Sequence, residues 1–423
     1  MPSTDPQTPI IENEAAPSET YDAVIVGGSL AGCSTAIALG RAGARVALVE
    51  KQPDPTAFKR ICSHFIQASG VPAIERLGLL EPMEAAGAVR PRFHAWTRWG
   101  WIESPPEDAP RGINLRREVL DPMVRSLAAE TPGVELLAGW SAERMLREEG
   151  AFAGVAVRNR EGEVRELRGR LTIGADGRDS TVAELSEVPV KTFPHDRFAY
   201  GGYFEGGAPK HSPDASIWFL DPHWGAAFPT DSGLTFYAAM PTKVRLPEFK
   251  ADPEGALVRY LADMPEGPPI REGRLVSPVL GKVDMTNRQR QVTAPGLALI
   301  GDAALATDPL FGVGCGWAFQ SSEWLAESVV PALCGDNRLD EGLERYRRRH
   351  TRELRAHAFF IHDYANGRRL NPAERMIFSA AARDAKSALL FEEFGSRRMR
   401  PQEMMPRALP RAVAVNVRHA LAR

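Results

Sequence analysis

The stretch from Tyr21 to Glu50 constrains the fold of this chain more than any other. It reads as an apolar strand (DAVIVG), a glycine turn, an alanine-rich helix (CSTAIALGRAG) and a second strand (RVALVE). A strand that turns directly into a helix brings backbone N–H groups and the positive end of the helix dipole to one point. This pattern predicts an α/β domain with a Rossmann-like turn that is suited to a pyrophosphate.

Individual residues of the turn have separate roles in this prediction. Gly27 makes the turn and Gly32 lets the helix pack closely on the strand, whereas Ser29 stands where a glycine is commonly found. Glu50 ends the second strand, in the region where a carboxylate accepts hydrogen bonds from adenosine ribose hydroxyls. Replacement of Ser29 by glycine is therefore expected to preserve or improve dinucleotide binding.

Composition places the chain among ordinary globular proteins. Its 423 residues are 43% hydrophobic and 25% charged, which allows two or three domains, and a net charge of -2 gives no general attraction to nucleic acid or anionic lipid. Residues 1–20 lack an apolar core and basic residues, so we expect a disordered leader and no integral membrane segment. Four cysteines without a C-x-x-C motif indicate a cytoplasmic protein with neither a zinc site nor a disulfide framework: Cys33, Cys62, Cys315 and Cys334.

Strand signals show that the α/β domain is discontinuous. Apolar strands recur at Leu167–Asp176 and Gly296–Ala304, whereas alternating segments separated by Gly, Pro and Asp lie between them. The predicted organisation is a Rossmann-like domain, an inserted antiparallel substrate sheet and a helical C-terminal region. The corresponding ranges are 21–193 with 289–369, then 194–288 joined by residues near 92–104, then 370–423.

Two further motifs, GADGRDST (Gly174 to Thr181) and GLALIGDAALATDPLFGVGCG (Gly296 to Gly316), follow the first turn. In this order and at these separations, the three motifs resemble the FAD-dependent monooxygenase superfamily of the p-hydroxybenzoate hydroxylase fold. That superfamily includes geranylgeranyl reductases and flavin-dependent halogenases. The resemblance covers residues 21–369 and implies that the bound dinucleotide is FAD.

The resemblance also implies roles for particular residues. Glu50 would hold the adenosine ribose, Arg117 in RREVLD would lie near the cofactor in preference to Arg116, and Asp302 would contact the ribityl chain. Cys315 lies in the glycine loop and is expected to be tolerated rather than catalytic. The full expected FAD-binding set is Gly27, Ser29, Ala31, Gly32, Glu50, Lys51, Arg60, Arg117, Asp176, Gly177, Asp302, Pro309, Gly312, Gly314 and Cys315.

The glycine loop has a physical interpretation of its own. Three glycines within Gly312–Gly316 let backbone amides approach a flat ring, and the helix that follows directs its positive end at the same place. Negative charge is stabilised there, and reduced flavin carries such charge near N1 and O2. The loop is therefore expected to favour flavin reduction.

The resemblance also implies which reaction the flavin performs. In oxygenating relatives, NAD(P)H or a partner flavin reductase reduces FAD, O2 adds, and a flavin hydroperoxide donates one oxygen to the substrate. We therefore predict a monooxygenase that hydroxylates or epoxidises a hydrophobic or aromatic small molecule, in a setting such as bacterial secondary metabolism. A reductase of substrate double bonds is the alternative. A halogenase is less favoured, because WGAAFP (Trp224 to Pro229) has alanine where the halogenase segment has its second tryptophan.

Catalytic and substrate residues are predicted from their positions. His64, in the loop KRICSHFIQASG after the second strand, either reaches the flavin or substrate or caps the next helix. Cys62 beside it either reaches the flavin or substrate or is a structural buried cysteine. No metal is expected, and no second G-x-G-x-x-G predicts a separate nicotinamide domain. Aromatic residues of the inserted sheet are expected to contact the substrate: Trp99, Trp101, Trp218, Trp224 and Phe228.

Overall fold

The structure is a computed structural model that describes residues 18–103, 109–335 and 337–422. Its strands are β1 (Ser18–Val26), β2 (Val46–Glu50), β3 (Phe65–Ile66), β4 (Phe93–Thr97), β5 (Gly100–Ile102), β6 (Ile113–Asn114), β7 (Val134–Ala138), β8 (Ser141–Glu148), β9 (Ala151–Arg158), β10 (Val164–Gly174), β11 (Val190–Phe193), β12 (Ala199–Glu205), β13 (Ala215–Phe219), β14 (Trp224–Pro229), β15 (Leu234–Ala239), β16 (Arg274–Leu275), β17 (Leu280–Lys282), β18 (Asn287–Arg290), β19 (Thr293–Ala294), β20 (Leu297–Leu299) and β21 (Leu305–Ala306).

The helices alternate with these strands in the first half of the chain and dominate its end. They are α1 (Leu30–Arg41), α2 (Val71–Arg76), α3 (Leu80–Ala85), α4 (Arg117–Glu130), α5 (Thr181–Leu185), α6 (Leu246–Ala251), α7 (Pro253–Ala262), α8 (Gly301–Ala304), α9 (Gly314–Leu333), α10 (Leu339–Tyr364), α11 (Pro372–Ala381), α12 (Ala385–Gly395) and α13 (Pro401–Leu421). In the described residues, no helix combines the length and the apolarity that a membrane crossing requires.

The first sheet contains the predicted Rossmann-like unit. Its strand order is β19-β20-β10-β1-β2-β7, and the pairs between β20 and β7 are parallel. Helices α1, α4 and α9 pack beside it, with α10 on α9. The central strands β1, β2 and β20 are almost wholly buried over their apolar residues, which explains why they read as continuous apolar runs. The α/β class predicted from the sequence is confirmed.

One boundary of this domain differs from the prediction. β1 begins at Ser18, so residues 18–20 are part of the sheet and not of the predicted disordered leader. Thr20 pairs with Arg168 of β10, which extends the strand beyond its apolar core. Polar residues at a strand end carry little hydrophobic signal, and for that reason the sequence pattern placed the start too late. The remainder of the predicted leader lies outside the described residues.

The inserted sheet has eight strands, in the order β16-β12-β15-β14-β13-β4-β5 with β17 also paired to β12. β4 and β5 come from the segment near 92–104 that was expected to join it. The sheet is not wholly antiparallel, because β4 pairs with β13 in parallel. A long connection separates these two strands, which satisfies the requirement of a parallel pair for a crossover.

Each face of this sheet packs against different helices. Alternation along β13 directs Trp218 to the face covered by α6 and α7, and directs Ile217 and Phe219 to the opposite face. That opposite face meets the first domain and the C-terminal helices α11 and α12. Because successive side chains of a strand point to opposite faces, the residues of β13 belong to two separate hydrophobic cores.

A small third sheet, β11-β18-β21, connects the two domains. β18 spans Asn287–Arg290 and therefore crosses the predicted boundary at residue 288. The C-terminal helices α11, α12 and α13 pack on one another, and their apolar residues form a fourth core. This compact cluster occupies the predicted helical range 370–423.

Close backbone packing determines the geometry of the first turn. Gly27 has a φ of +112°, and a Cβ there would approach the carbonyl oxygen of Ala175 at 2.5 Å. A Cβ on Gly32 would lie only 1.8 Å from the carbonyl oxygen of Gly27. Both glycines are therefore required by contact between backbone segments.

Substitution of Gly32 by alanine is expected to destabilise the apoprotein by about 1–3 kcal/mol or more, because the rigid turn must shift to admit the methyl group. Gly316→Ala is the matched control. Gly316 also lies in the first turn of a helix, but the nearest atom to its added Cβ is 4.0 Å away. Thermal unfolding of the two apo variants checks the difference, and equal melting temperatures would contradict the packing argument.

Candidate functional site

The N-terminus of α1 presents donors to the crevice above the first sheet. Ser29 is the N-cap residue, but its side chain does not cap the helix. The first N–H groups of any helix have no acceptor within that helix. They remain available to an anion at this turn, as the sequence predicted.

Glu50 lies directly beside this turn. Its Oε2 accepts from the Gly28 N–H at 2.7 Å, and its Oε1 accepts from the Gln52 N–H at 2.8 Å. Two backbone donors therefore fix the carboxylate at the end of β2. Each oxygen has a further lone pair, which can accept from the hydroxyls of a bound ribose.

Arg117 is a buried cation that joins four segments of the site. It donates through Nε to Asp121 at 2.6 Å and through Nη2 to the Ser29 hydroxyl at 2.8 Å. Its Nη1 lies 3.9 Å from Cys62 Sγ and 3.7 Å from Cys315 Sγ. The Ser29 hydroxyl has a partner that the sequence did not reveal, so its replacement by glycine would remove a hydrogen bond to a charged group.

A second group of residues lies across the crevice, at the start of α9. Lys59 Nζ pairs with Asp302 Oδ2 at 3.4 Å, and this ammonium lowers the pKa of Asp302 although burial opposes the shift. The first turn of α9 has no side-chain cap. A Cβ added to Gly314 would meet only Asp302 Oδ1, at 3.7 Å. The helix end is thus open and flanked by a carboxylate.

The remaining predicted cofactor residues occupy different environments. Asp176 lies at the N-terminus of α5, where it accepts from the hydroxyl of the N-cap residue Ser180 at 2.5 Å and from the Val182 N–H at 2.9 Å. A Cβ on Gly177 would meet nothing within 4 Å. Ala31 is buried, and its carbonyl accepts from Ser322 Oγ. Lys51 and Arg60 are exposed, whereas Pro309 and Gly312 lie at the two ends of a 3-10 turn.

His64 is buried and held in one tautomer. Its Nδ1 accepts from the Arg117 backbone N–H at 3.0 Å, and burial lowers its pKa to about 4. The neutral ring therefore carries its proton on Nε2, which is hydrogen-bonded to the Tyr203 hydroxyl. His64 also has a φ of +62°, a region in which histidine is more frequent than most residues. It does not cap a helix.

Tyr203 is a site residue that sequence reasoning missed. It lies in β12, stacks on His64 with ring centroids 5.6 Å apart, and contacts Phe236. Burial raises its pKa, so its hydroxyl remains protonated. Because the Tyr203 oxygen accepts the hydrogen bond from His64 Nε2, its own O–H is directed to another acceptor. The alternation of FAYGGYFEG identified a strand but did not indicate which tyrosine faced the site.

Cys62 and Cys315 lie in contact, with their Sγ atoms 3.6 Å apart. Both are free thiols. The hydrogen bond from the Cys315 thiol lowers the pKa of the Cys62 thiol well below its usual range, against burial and with help from the Arg117 cation. That same bond raises the pKa of Cys315. The sequence separated these residues by 253 positions and gave no sign of their contact.

An apolar cavity of about 140 Å³ extends from the glycine loop toward the C-terminal helices. Leu310, Phe311 and Gly312 form one end, and α11 and α12 close the other. Arg397 lies at the C-terminal side, with its guanidinium over the Phe311 ring at 5.3 Å. Aromatic and aliphatic residues of the inserted sheet form the wall between these ends: Phe93, Ile217, Phe219, Trp224 and Phe228.

The predicted substrate residues divide between the two faces of the inserted sheet. Trp224 and Phe228 line the cavity. Trp218 lies on the opposite face, in the core beneath α7, and Trp101 contacts it there and donates to Glu266 at 2.7 Å. Trp99, in the β4–β5 turn, packs at the edge of the cavity-side core without lining the cavity.

One cluster among the described residues brings metal-binding side chains together: His94, Glu103 and His211. The two imidazole rings are stacked, with centroids 4.0 Å apart and planes 9° from parallel. Ring nitrogens bind a metal in the plane of the ring, and two stacked parallel planes do not meet at one ion. The cluster lies on the α7 side of the inserted sheet, away from the glycine loop.

These groups fit the FAD that the resemblance implies. The uncapped end of α1 suits its pyrophosphate, Glu50 suits its adenosine ribose, and the open, glycine-lined end of α9 suits a flat ring carrying negative charge. Asp302 lies between these two ends of the crevice, where a ribityl chain would pass.

Glu50→Gln is expected to weaken FAD binding at least about tenfold, because an amide NH2 would face either the Gly28 or the Gln52 N–H and disturb the turn. Titration of apoprotein with FAD, followed by flavin fluorescence, measures the dissociation constant. Asp54→Asn is the matched control, since it removes the same charge from an exposed position of the following loop. Equal affinity in the two variants would remove Glu50 from the site.

The comparisons with known proteins agree with this geometry. The family model for the FAD binding domain matches residues 20–359. Digeranylgeranylglycerophospholipid reductase 1 of Methanopyrus kandleri is 27% identical over 356 residues, covering 79% of this chain and 87% of that protein.

Two solved structures show the same fold. The myxobacterial chondrochloren halogenase CndH has a TM-score of 0.71 at 20% identity and covers 92% of this chain and 99% of its own. The p-nitrophenol 4-monooxygenase PnpA of Pseudomonas putida has a TM-score of 0.70 at 21% identity, covering 90% and 98%. Because the family model spans most of the sequence, this chain belongs to the FAD binding domain family of FAD-dependent oxidoreductases.

Proposed function

We propose that this chain is an FAD-dependent monooxygenase that inserts one atom of O2 into a hydrophobic small molecule. The observation that carries the proposal is the position of the apolar cavity, which begins at Leu310, Phe311 and Gly312 of the glycine loop. A substrate group in this cavity would lie next to the flavin ring. The fold shared with PnpA supports the same class of reaction.

The cavity limits the size and polarity of the substrate group that it can hold. Its walls are almost wholly apolar and its open volume is about 140 Å³. Cavities of about 150 Å³ lined by Leu, Ile and Phe stay dry and hold one benzene molecule. The cavity therefore fits a single aromatic ring or a short branched hydrocarbon segment, and it offers few partners to water.

FAD, when bound, supplies the two-electron reduction and the reaction with O2, and its electrons come from NAD(P)H or a partner flavin reductase. The protein contributes the surroundings. When FAD is bound, the uncapped N-terminus of α9 would stabilise negative charge on it, and Phe65, Phe228 and Phe311, which line the cavity, would exclude water from the substrate.

His64 and Tyr203 provide a directed proton at the boundary between the domains. His64 Nδ1 is occupied by the Arg117 N–H, so the imidazole donates through Nε2 to the Tyr203 hydroxyl. Tyr203 is half-buried and does not line the apolar cavity, so its own O–H is directed to an acceptor outside the cavity. His64 acts here by positioning Tyr203 and does not itself gain a proton, because burial keeps its pKa near 4.

Saturation of a carbon–carbon double bond is a second candidate function. It is supported by the digeranylgeranylglycerophospholipid reductases among the relatives and by the Cys62–Cys315 pair beside the glycine loop. Reduction of an alkene requires a proton as well as a hydride, and the Cys315 thiol, which stays protonated because its pKa is raised, can donate that proton. The same cavity would hold the alkene.

Product analysis distinguishes the two reactions. Holoenzyme is supplied with NADPH or NADH, 18O2 and two probes, 2-naphthol and geranylgeraniol. Incorporation of one 18O atom into either probe is expected. Anaerobic gain of two hydrogens by geranylgeraniol, without oxygen incorporation, would replace the proposal by the reductase, and flavin turnover with neither product would overturn both for these substrate classes.

Ile217→Trp is expected to raise the KM for the probe that turns over at least about tenfold, because the indole fills the cavity. FAD content and reduction by the nicotinamide cofactor should not change. Trp218→Phe, the next residue of the same strand, is the control, since its side chain lies on the opposite face. Steady-state kinetics give the KM of both variants, and an unchanged KM for Ile217→Trp would exclude the cavity as the substrate site.

A further inference from the structure

Two cysteines from distant parts of the chain meet at the glycine loop. Cys315 lies in the first turn of α9, and Cys62 lies in the irregular segment between β2 and β3. Their Sγ atoms are 3.6 Å apart, and a disulfide requires about 2.05 Å. A shift of roughly 1.5 Å therefore joins them, and the segment that holds Cys62 has no regular secondary structure to resist it.

The surroundings activate Cys62 as the nucleophile of this pair. The His64 N–H donates to Cys62 Sγ at 3.3 Å, and Arg117 Nη1 lies 3.9 Å from the same atom. The hydrogen bond from the Cys315 thiol, followed by the charges of Arg117 and Lys59, lowers the pKa of Cys62. Cys62 is also half-buried, whereas Cys315 is buried, so the residue with the lowered thiol pKa is the more exposed of the two.

The pair lies where an oxidant is produced. Reduced flavin that reacts with O2 without transferring oxygen to a substrate releases hydrogen peroxide, and this reaction is open to either candidate function. Peroxide formed in the crevice would meet the Cys62–Cys315 pair before Cys33 or Cys334. Cys33 is buried in α1, and Cys334 lies at the far end of α9.

We propose that Cys62 and Cys315 form a peroxide-reactive dithiol site, which converts hydrogen peroxide to water and closes to a disulfide. The Cys62 thiolate attacks one peroxide oxygen, so the O–O bond breaks, Cys62 becomes a sulfenic acid and hydroxide leaves. Cys315 then attacks Cys62 Sγ and expels the sulfenic oxygen as a second hydroxide. Protons released by the two thiols convert both hydroxides to water, and the two sulfurs together lose two electrons.

The closed disulfide connects the segment after β2 to the first turn of α9. Both segments border the flavin crevice, and Arg117 contacts both sulfurs. Oxidation therefore alters the surroundings of the buried guanidinium that also holds Ser29. A thiol reductant reduces the disulfide back to two thiols, so the modification is reversible.

Thiol counting tests the proposal without any substrate. Holoenzyme is treated with one equivalent of hydrogen peroxide at pH 7, unfolded and titrated with a thiol reagent. The expected count falls from the four cysteines of the chain to two, and peptide mass spectrometry should show a Cys62–Cys315 link. Four remaining thiols, or a disulfide that involves Cys33 or Cys334, would overturn the proposal.

Variants test the order of the two steps. Cys315→Ser, which keeps a hydrogen-bond donor beside Cys62, should leave Cys62 as a sulfenic acid that dimedone traps, and Cys62→Ala should leave Cys315 unmodified. Cys334→Ser is the control, since it removes an exposed thiol and should still form the disulfide. Alkylation of Cys62 by iodoacetamide should be about tenfold faster than that of Cys334, because an ordinary thiol is only a few per cent thiolate at pH 7. Equal rates would contradict an activated Cys62, whichever reaction the flavin performs.

Discussion

The contact between backbone segments at the first turn is the constraint on which the rest of the molecule depends. Gly32 lies so close to Gly27 that no side chain fits between them, and a Cβ on Gly27 would in turn meet the carbonyl oxygen of Ala175, the residue after β10. This packing fixes the direction of α1 relative to the sheet. The end of α1, Glu50 and Asp176 then face one crevice, because parallel strands end on the same edge of a sheet.

Arg117 extends this geometry to the other side of the crevice. Its guanidinium reaches Asp121 on its own helix, Ser29 on the turn, and Cys62 and Cys315 on the facing segments. A buried cation must have nearby partners, since an unpaired one costs several kcal/mol. The requirement to satisfy Arg117 therefore holds together four segments that are distant in the sequence. His64 belongs to the same group through the Arg117 backbone.

The two faces of the inserted sheet carry different aromatics, one set in a hydrophobic core and the other at the cavity. Trp218 and Trp101 pack in the core below α7, whereas Trp224 and Phe228 face the cavity. Aromatic residues are needed on both faces, because each face buries a different set of helices. Composition alone treats these residues as equal, and only their position in the alternation distinguishes them. The C-terminal helices then close the cavity, so the tail of the chain takes part in the site.

The sequence by itself determined the class of fold, the glycine turn, the order of the three motifs and the residues beside the crevice that follow from local patterns. These features depend on neighbours within one element, and hydrophobic periodicity and glycine spacing record them directly. Tertiary structure alone decided that Ser29 pairs with Arg117, that Tyr203 meets His64 across 139 residues, that Cys62 touches Cys315, and which tryptophans face the cavity. Such contacts arise from the packing of separate elements, and one sequence contains no local signal of which distant side chain will lie opposite.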